Sequence, residues 1–324
     1  MQCENVKESS GLHPDQRDIR IFPFNSPEYA ETYGGVIKYS ESILSAVFVE
    51  KITGTEFYDG RLPWPYVSFP EHGTALLGKE FPELVTVAGV VAPSRQCPSK
   101  TASSAGLVPF KQHFIFDPCA GSIRLSKKSA LNLKKGSRVW RVADADTSAG
   151  WEAFAALYET FISEKKLTGG FYDFRDDHFF RLPHIRAIKL FGVRSSSEWG
   201  AMACGARHGN ELHLMHICIA RQGYKSCASY VLMDAITRYC AANDWTLFVG
   251  GMRHGADEGL LRFKKRWTNK TLQAWFLKII IRPDVYARLA IPGNPYFPGY
   301  RHPYDGPVIS TGGRVIHAFT HSGL

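Results

Sequence analysis

The chain has 324 residues, 44% of them hydrophobic, with a formal net charge of +9 and a pI near 9.1. That length allows two domains with full cores. No apolar run approaches the roughly 18–20 residues of a bilayer-spanning helix, and seven cysteines without Cys-x-x-Cys spacing argue against a disulfide scaffold or zinc ribbon.

The positive excess favours a polyanionic partner, nucleic acid or a nucleotide-linked substrate. The start, "MQCENVKESSGLHPDQRDIR", is polar and mixed in charge, without a basic-then-apolar leader pattern. The expectation is a cytoplasmic protein with reduced thiols, no membrane insertion and a monomeric state.

In the first half, "SPEYAETY" reads as a short helix, "GVIKYS" and "ILSAVFVEKI" as paired strands, and "TALLGKEFPELV" as a helix. "VTVAGVV" and "QHFIFDP" are further strands, separated by the polar loop "APSRQCPSKTASSAG". "LSKKSALNLKKG" follows as a helix closed by Gly136. It gathers Lys127, Lys128, Lys134 and Lys135 in an arc of about 120°, either a solvated face or a strip for phosphates.

"WEAFAALYETFISEKK" repeats Trp151, Phe154, Leu157, Tyr158, Phe161 and Ile162 with helical period. A shorter aromatic helix covers "DFRDDHFFRL" and stops at Pro183. Three strands come next, "AIKLFGV", "WGAMACGA" and "ELHLMHICI". The helix in "SCASYVLMDAITRYCAAN" has Ser226 as its expected N-cap. "WTLFV" is a buried strand, "GG" a turn, "EGLLRFKKRWTN" a helix and "LQAWFLKIII" a last strand.

On the wheel of that penultimate helix Leu260, Leu261, Phe263 and Trp267 share an arc, and Lys264 falls inside it. Arg262, Lys265 and Arg266 point outward. An inward lysine either lays its stem on the core and lets its ammonium reach solvent or does chemistry. The order α-α-β-β-β-α-β-α-β resembles the GNAT acyltransferase layout: a mostly antiparallel sheet with one β-α-β crossover, α/β in class. The first half is compatible with a degraded copy. Two GNAT-like domains are therefore expected, at 1–135 and 136–282. The Pro-, Gly- and Tyr-rich tail 283–324 is expected to return to the first.

Two motifs sharpen the resemblance. "FIFDPCAGSIRLSKKSALNLKKG" resembles the domain junction of the FemABX family, matching at Leu125, Ser126, Asn132, Lys134 and Lys135, with Ala130 or Leu131 where arginine is commoner. "GG(x)₇GLLRFKKRWTN" resembles that family's "GG…GL-x-x-FK-x-x-[FW]" ending through Gly250, Gly251, Gly259, Leu260, Phe263, Lys264 and Trp267.

The resemblance implies an aminoacyltransferase that takes an amino acid from aminoacyl-tRNA and forms a peptide bond on an amine. The acceptor would be a small peptidyl-nucleotide or peptidyl-nucleoside, in cell-wall or antibiotic assembly. It assigns Lys264 to the transferring ester carbonyl and Phe263 and Trp267 to the donor end. Lys127, Lys128, Lys134, Lys135, Arg262, Lys265 and Arg266 would meet RNA phosphates. No cofactor beyond the RNA donor is implied.

The alternative is an N-acyltransferase using acyl-CoA or an acyl carrier protein. Acetyl-CoA-dependent GNAT proteins carry an Arg/Gln-x-x-Gly-x-Gly/Ala loop whose amides grip pyrophosphate. Here "ARQGYKSCAS" keeps only Gly223, which weakens that alternative. His213 and His216 of "HLMH" would face opposite sides of a regular strand, against a metal site. Asp234 reads as a solvated mid-helix residue, and no general base stands out.

Overall fold

The computed structural model describes residues 21–68, 74–94, 105–166, 174, 177–252, 258–294, 297–301, 307–311 and 314–317. The first half runs α1 (Pro27–Glu31), β1 (Val36–Ser40), β2 (Ser45–Lys51), β3 (Tyr58–Arg61), α2 (Thr74–Glu80), β4 (Leu84–Ser94) and β5 (Ala105–Phe116). After α3 (Lys127–Gly136) come β6 (Arg141–Asp144), α4 (Ser148–Glu164), α5 (His178–Arg181), β7 (Ile188–Arg194), β8 (Trp199–His208) and β9 (Glu211–Ile219). Then follow α6 (Arg221–Lys225), α7 (Ala228–Ala242), β10 (Thr246–Gly251), α8 (Glu258–Arg266), β11 (Lys270–Ile280) and α9 (Pro283–Leu289). A hairpin, β12 (Pro307–Thr311) with β13 (Arg314–His317), ends the described chain.

Eleven strands form one sheet in the order β1-β2-β3-β4-β11-β5-β10-β9-β8-β7-β6. Each half repeats a pattern: antiparallel strands, then a helical crossover into a parallel neighbour, β3 to β4 and β9 to β10. The first half is one strand shorter. The halves also trade strands. β11 inserts between β4 and β5, while β5 pairs with β10. The span 136–282 thus completes the sheet of 1–135 and is completed by it.

Local sequence explains the main helices. Trp151, Phe154, Tyr158 and Ile162 bury one face of α4, and the Thr147 hydroxyl caps its start by accepting from the Gly150 amide at 3.1 Å. Along α7 Ala228, Val231, Leu232, Ile236 and Cys240 are buried. Its expected cap is corrected: α7 starts after Cys227, which adopts φ +63°. Ser226 instead closes α6, donating to the Gln222 carbonyl at 2.6 Å and accepting from the Trp140 indole at 3.0 Å. Gly136 is the last residue of α3 and lies hard against α7, where an added Cβ would stand 2.6 Å from the Cys227 carbonyl oxygen.

One apolar layer runs under both halves, from Phe24, Tyr29 and Phe48 to Phe154, Phe179 and Phe276. The opposite face carries two separate layers. α7 covers Trp140, Leu247 and Trp267, and α2 contributes Leu77 over Leu62, Val87 and Leu277. In the tail Val285 packs with Ile52 and Val85, and Tyr300 and Arg301 bond to Asp59 of β3. Among the described residues no helix is long and apolar enough to cross a membrane.

Candidate active site

The sheet opens where the two halves meet. β9 and β10 pair only at Thr246–Glu211, Leu247–Leu212 and Phe248–His213. β10 then bulges and follows β5, with Gly250 opposite Phe114 and Gly251 opposite His113, while β9 continues along β8. At the bulge Gly250 has φ +103°, a conformation glycine adopts without a Cβ penalty.

Lys264 reaches this divergence from α8. Its Nζ donates to the Gly251 carbonyl at 2.7 Å, and a Cβ on Gly250 would sit 3.2 Å from it. Burial of the ammonium lowers its pKa from the ordinary lysine value to about 8. The group is therefore charged at neutral pH but poorly hydrated, and among the described residues Gly251 engages one of its three N–H donors. In such a place a cation stabilises a developing oxyanion more than it could in water.

The rest of the predicted arc divides. Phe263 is half-buried against the α7 layer. Trp267 is 1% exposed and belongs to that core, so the expected donor contact by its ring is corrected: the indole supports the site from beneath. Leu260, expected to face inward, is exposed.

Next to Gly251 stands a group that local pattern does not single out. His113 is 2% exposed, and neither ring nitrogen has a hydrogen-bond partner among the described residues. Leaving a buried polar group unpaired costs about 1–3 kcal/mol. A Cβ on Gly251 would lie 2.6 Å from its Nε2, so glycine makes room for the ring. Burial, and then the charges of Lys111 and Lys264, hold its pKa well below the ordinary histidine value.

Tyr66 packs edge-on to His113 with centroids 5.2 Å apart. Its hydroxyl meets His213 Nδ1 at 2.6 Å, and His213 Nε2 meets the Glu211 carboxylate at 3.0 Å. Nε2–H donates to the carboxylate, which leaves Nδ1 as the acceptor of the Tyr66 hydroxyl. Lys111 lies 4.5 Å over the Trp64 ring. The one sequence signal for His113 is an imidazole inside an apolar strand, which gives no hint of what it faces.

The predicted phosphate contacts also divide. Lys127, Lys128, Lys134 and Lys135 are all exposed on α3, and Lys135 donates to the Lys225 carbonyl at 3.1 Å. Lys265 is exposed on α8. Arg262 is exposed and paired with Glu258 at 3.0 Å. Arg266 is a correction: its Nε donates to Ser129 Oγ at 3.0 Å and its guanidinium lies 4.7 Å over Tyr230. It ties α8 to α3 and α7 and so sets the lysine strip beside the Lys264 helix. Asp234 pairs with Arg238 at 2.9 Å.

The segment "ARQGYKSCAS" forms α6 where a pyrophosphate loop would lie. The Tyr224 amide donates to the Ala220 carbonyl and the Ser226 amide to Gln222, both at 3.0 Å. A Cβ on Gly223 would stand 2.0 Å from the Gly200 carbonyl oxygen, so this glycine serves packing against β8. These amides are spent inside the protein.

His213 and His216 also depart from expectation. A bulge at Met215 sets Leu214 opposite Gly205 but His216 opposite Cys204. That extra residue turns both imidazoles to the layer holding Phe24 and Phe179. They remain in separate clusters, His213 with Tyr66 and His216 Nε2 at 3.3 Å from His178 Nε2. Among the described residues no three His, Cys, Asp or Glu side chains are placed to hold a metal.

No protein-family model matches this chain, and no curated protein matches it by sequence. Solved structures do match in fold. FemX superposes with a TM-score of 0.62 at 10% identity, covering 85% of this chain and 97% of FemX. The C-terminal domain of a proposed lysylphosphatidylglycerol synthetase from Agrobacterium fabrum gives 0.54 at 11% identity, covering 82% and 92%. L-PGS from Bacillus licheniformis gives 0.52 at 11% identity, covering 79% and 92%. The chain has a FemX-like mixed α/β fold.

Proposed function

We propose that this chain is an acyltransferase that moves an aminoacyl group from tRNA to an amine, forming a peptide bond. The acceptor we assign is a small peptidyl-nucleotide or peptidyl-nucleoside. The observation that carries the reading is Lys264, a desolvated ammonium anchored on the Gly251 carbonyl where β9 and β10 part.

Aminolysis of an ester passes through a tetrahedral oxyanion. One Nζ–H of Lys264 is held by Gly251, which fixes the ammonium at the divergence of β9 and β10. A preorganised donor of this kind stabilises the oxyanion without reorganising during the reaction. Phe263, half-buried on the same helix, is the aromatic ring we assign to the terminal base of the donor. The strip of Lys127, Lys128 and Lys134 stands on the helix that Arg266 clamps to α8, which suits a phosphate backbone entering beside the reacting end.

Two further points support an RNA-borne donor. The segment that would grip the pyrophosphate of CoA keeps one glycine, packed against Gly200, and its Tyr224 and Ser226 amides are bonded within α6. One neighbour in fold is named for making lysylphosphatidylglycerol, a name that contains a transferred amino acid. The test is a transfer assay with radiolabelled charged tRNA pools against acyl-CoA donors, with and without ribonuclease. Ribonuclease-sensitive transfer from charged tRNA is the expected result. Transfer from acyl-CoA that ribonuclease leaves intact overturns the donor assignment.

A further inference from the structure

We infer that His113 is the general base of this transfer, taking the proton of the attacking amine and passing it to the departing alcohol. The inference rests on the acyl-transfer reading and deepens it.

Three observations place His113 there. It is buried, yet both ring nitrogens lack a partner among the described residues. Buried polar groups in folded proteins are nearly always bonded, so an imidazole without a partner points to a ligand or solvent it waits for. It shares Gly251 with Lys264: one lies against the Cα side of that residue and the other bonds its carbonyl. The groups facing it are Lys111 on its own strand, Lys264 from α8, His213 from β9 and the Tyr66 ring. The His213 carboxylate partner, Glu211, is engaged with His213.

With cations on two sides and no carboxylate among the groups acting on it, His113 is neutral at neutral pH. A lone pair on the ring is then free to accept. The surrounding charge opposes protonation until negative charge develops close by, and the tetrahedral oxyanion supplies that charge. Base and oxyanion donor are thus coupled through the intermediate. The balance is simple. The amine nitrogen bonds to the carbonyl carbon and its proton goes to His113. The carbon–oxygen ester bond then breaks, and the same proton leaves on the departing ribose oxygen. His113 ends as it began, and no redox partner takes part.

The experiment uses the full chain, charged tRNA as donor and uridine bearing a 5′-alanylamino group as a probe acceptor with a free amine. His113→Gln retains the polar volume but cannot carry the proton, and His113→Ala opens a space for added imidazole. In single-turnover transfer His113→Gln should lose about 10²-fold or more, with donor RNA binding within about twofold of parental, since the lysine strip is untouched. Imidazole should restore His113→Ala and should leave His113→Gln unchanged, since glutamine fills the space that the added base would occupy. A folded His113→Gln that transfers at the parental rate overturns the inference. So does a slow His113→Ala that imidazole leaves unrepaired. A parental chain that transfers nothing from any donor overturns the acyl-transfer reading itself, a result distinct from either.

Discussion

Lys264 and His113 converge on Gly251 from different elements: Nζ of the lysine donates to its carbonyl at 2.7 Å, and its missing Cβ leaves the space that His113 Nε2 borders. One residue of β10 thereby registers a helix donor against a neighbouring-strand imidazole. Replacing Gly251 by Ala should break this arrangement. A Cβ there would stand 2.6 Å from Nε2 and 2.8 Å from the Lys111 stem. We expect Gly251→Ala to fold, to bind RNA as before and to transfer at least tenfold more slowly. Parental single-turnover rates in that variant would show that the ring and stem yield without consequence.

Lys264→Met keeps the stem and removes the charge. Its folded-state pKa of about 8 lies below the ordinary 10.5, so burying the charge opposes folding at neutral pH, and this penalty disappears only above the unfolded value. The methionine variant should therefore melt at the same temperature or higher at pH 7. Transfer should fall by about 10²–10³, the usual effect of removing one oxyanion donor. Lys265→Met, one residue on and exposed, is the matched control and should retain its single-turnover rate at saturating donor RNA. Equal rates in both variants, or outright unfolding of Lys264→Met, would make Lys264 a packing residue.

RNA binding should depend on α3. Replacing Lys127, Lys128, Lys134 and Lys135 together by Gln should flatten the dependence of log K on log salt, by about 0.7–0.9 for each phosphate that the variant no longer neutralises. Arg266→Gln should behave differently. It cuts the tie to Ser129 and the stacking on Tyr230, so stability should fall while the salt slope changes little. A filter-binding titration with an unchanged slope for the quadruple variant would remove the strip from the interface.

Local pattern carried the helices well and the site only in part. The period of Trp151, Phe154 and Tyr158 sufficed for α4, and the inward phase of Lys264 was visible on a wheel. The exchange of β5 and β11 between the halves is not visible, because pairings between residues more than 130 positions apart leave no local signature. The bulge at Met215 was hidden for a related reason: one extra residue in a ladder reverses the facing of His216, and only the partner strand reveals it. Nothing local marks His113, because its meaning comes from Gly251 and Lys264, which belong to the other half of the chain.

Acid should destabilise the fold through its buried histidines. Burial is the largest cause lowering the pKa values of His113, His213 and His216 below the ordinary 6.5. Below pH 6.5 the unfolded chain takes up protons that the folded chain refuses, so stability is complete above that value and falls as pH drops. Each histidine contributes up to about 1.4 kcal/mol per pH unit until its own folded pKa is reached. The His178–His216 contact at 3.3 Å between Nε2 atoms needs one nitrogen to remain unprotonated. Melting temperatures should decline steadily from pH 7 to pH 5. His216→Asn should lessen that slope, and a flat profile in the parental protein would refute the assignment.

The docked tail supplies the last test. Asp59, 5% exposed on β3, accepts from the Tyr300 hydroxyl at 2.5 Å, Thr86 at 2.8 Å and Arg301 Nε at 2.7 Å. Arg301 is largely buried and also approaches Glu50 at 3.7 Å. Removing one partner of a buried pair leaves the other charge uncompensated and costs about 3–5 kcal/mol, whereas removing both costs far less. Asp59→Ala should therefore destabilise strongly in urea. Arg301→Met should cost less, because Asp59 keeps two hydroxyl donors. The double variant should be more stable than the sum of the singles requires, by at least 1 kcal/mol in a double-mutant cycle. Strict additivity would show that Asp59 and Arg301 act independently and that their ion pair does not hold the tail on β3.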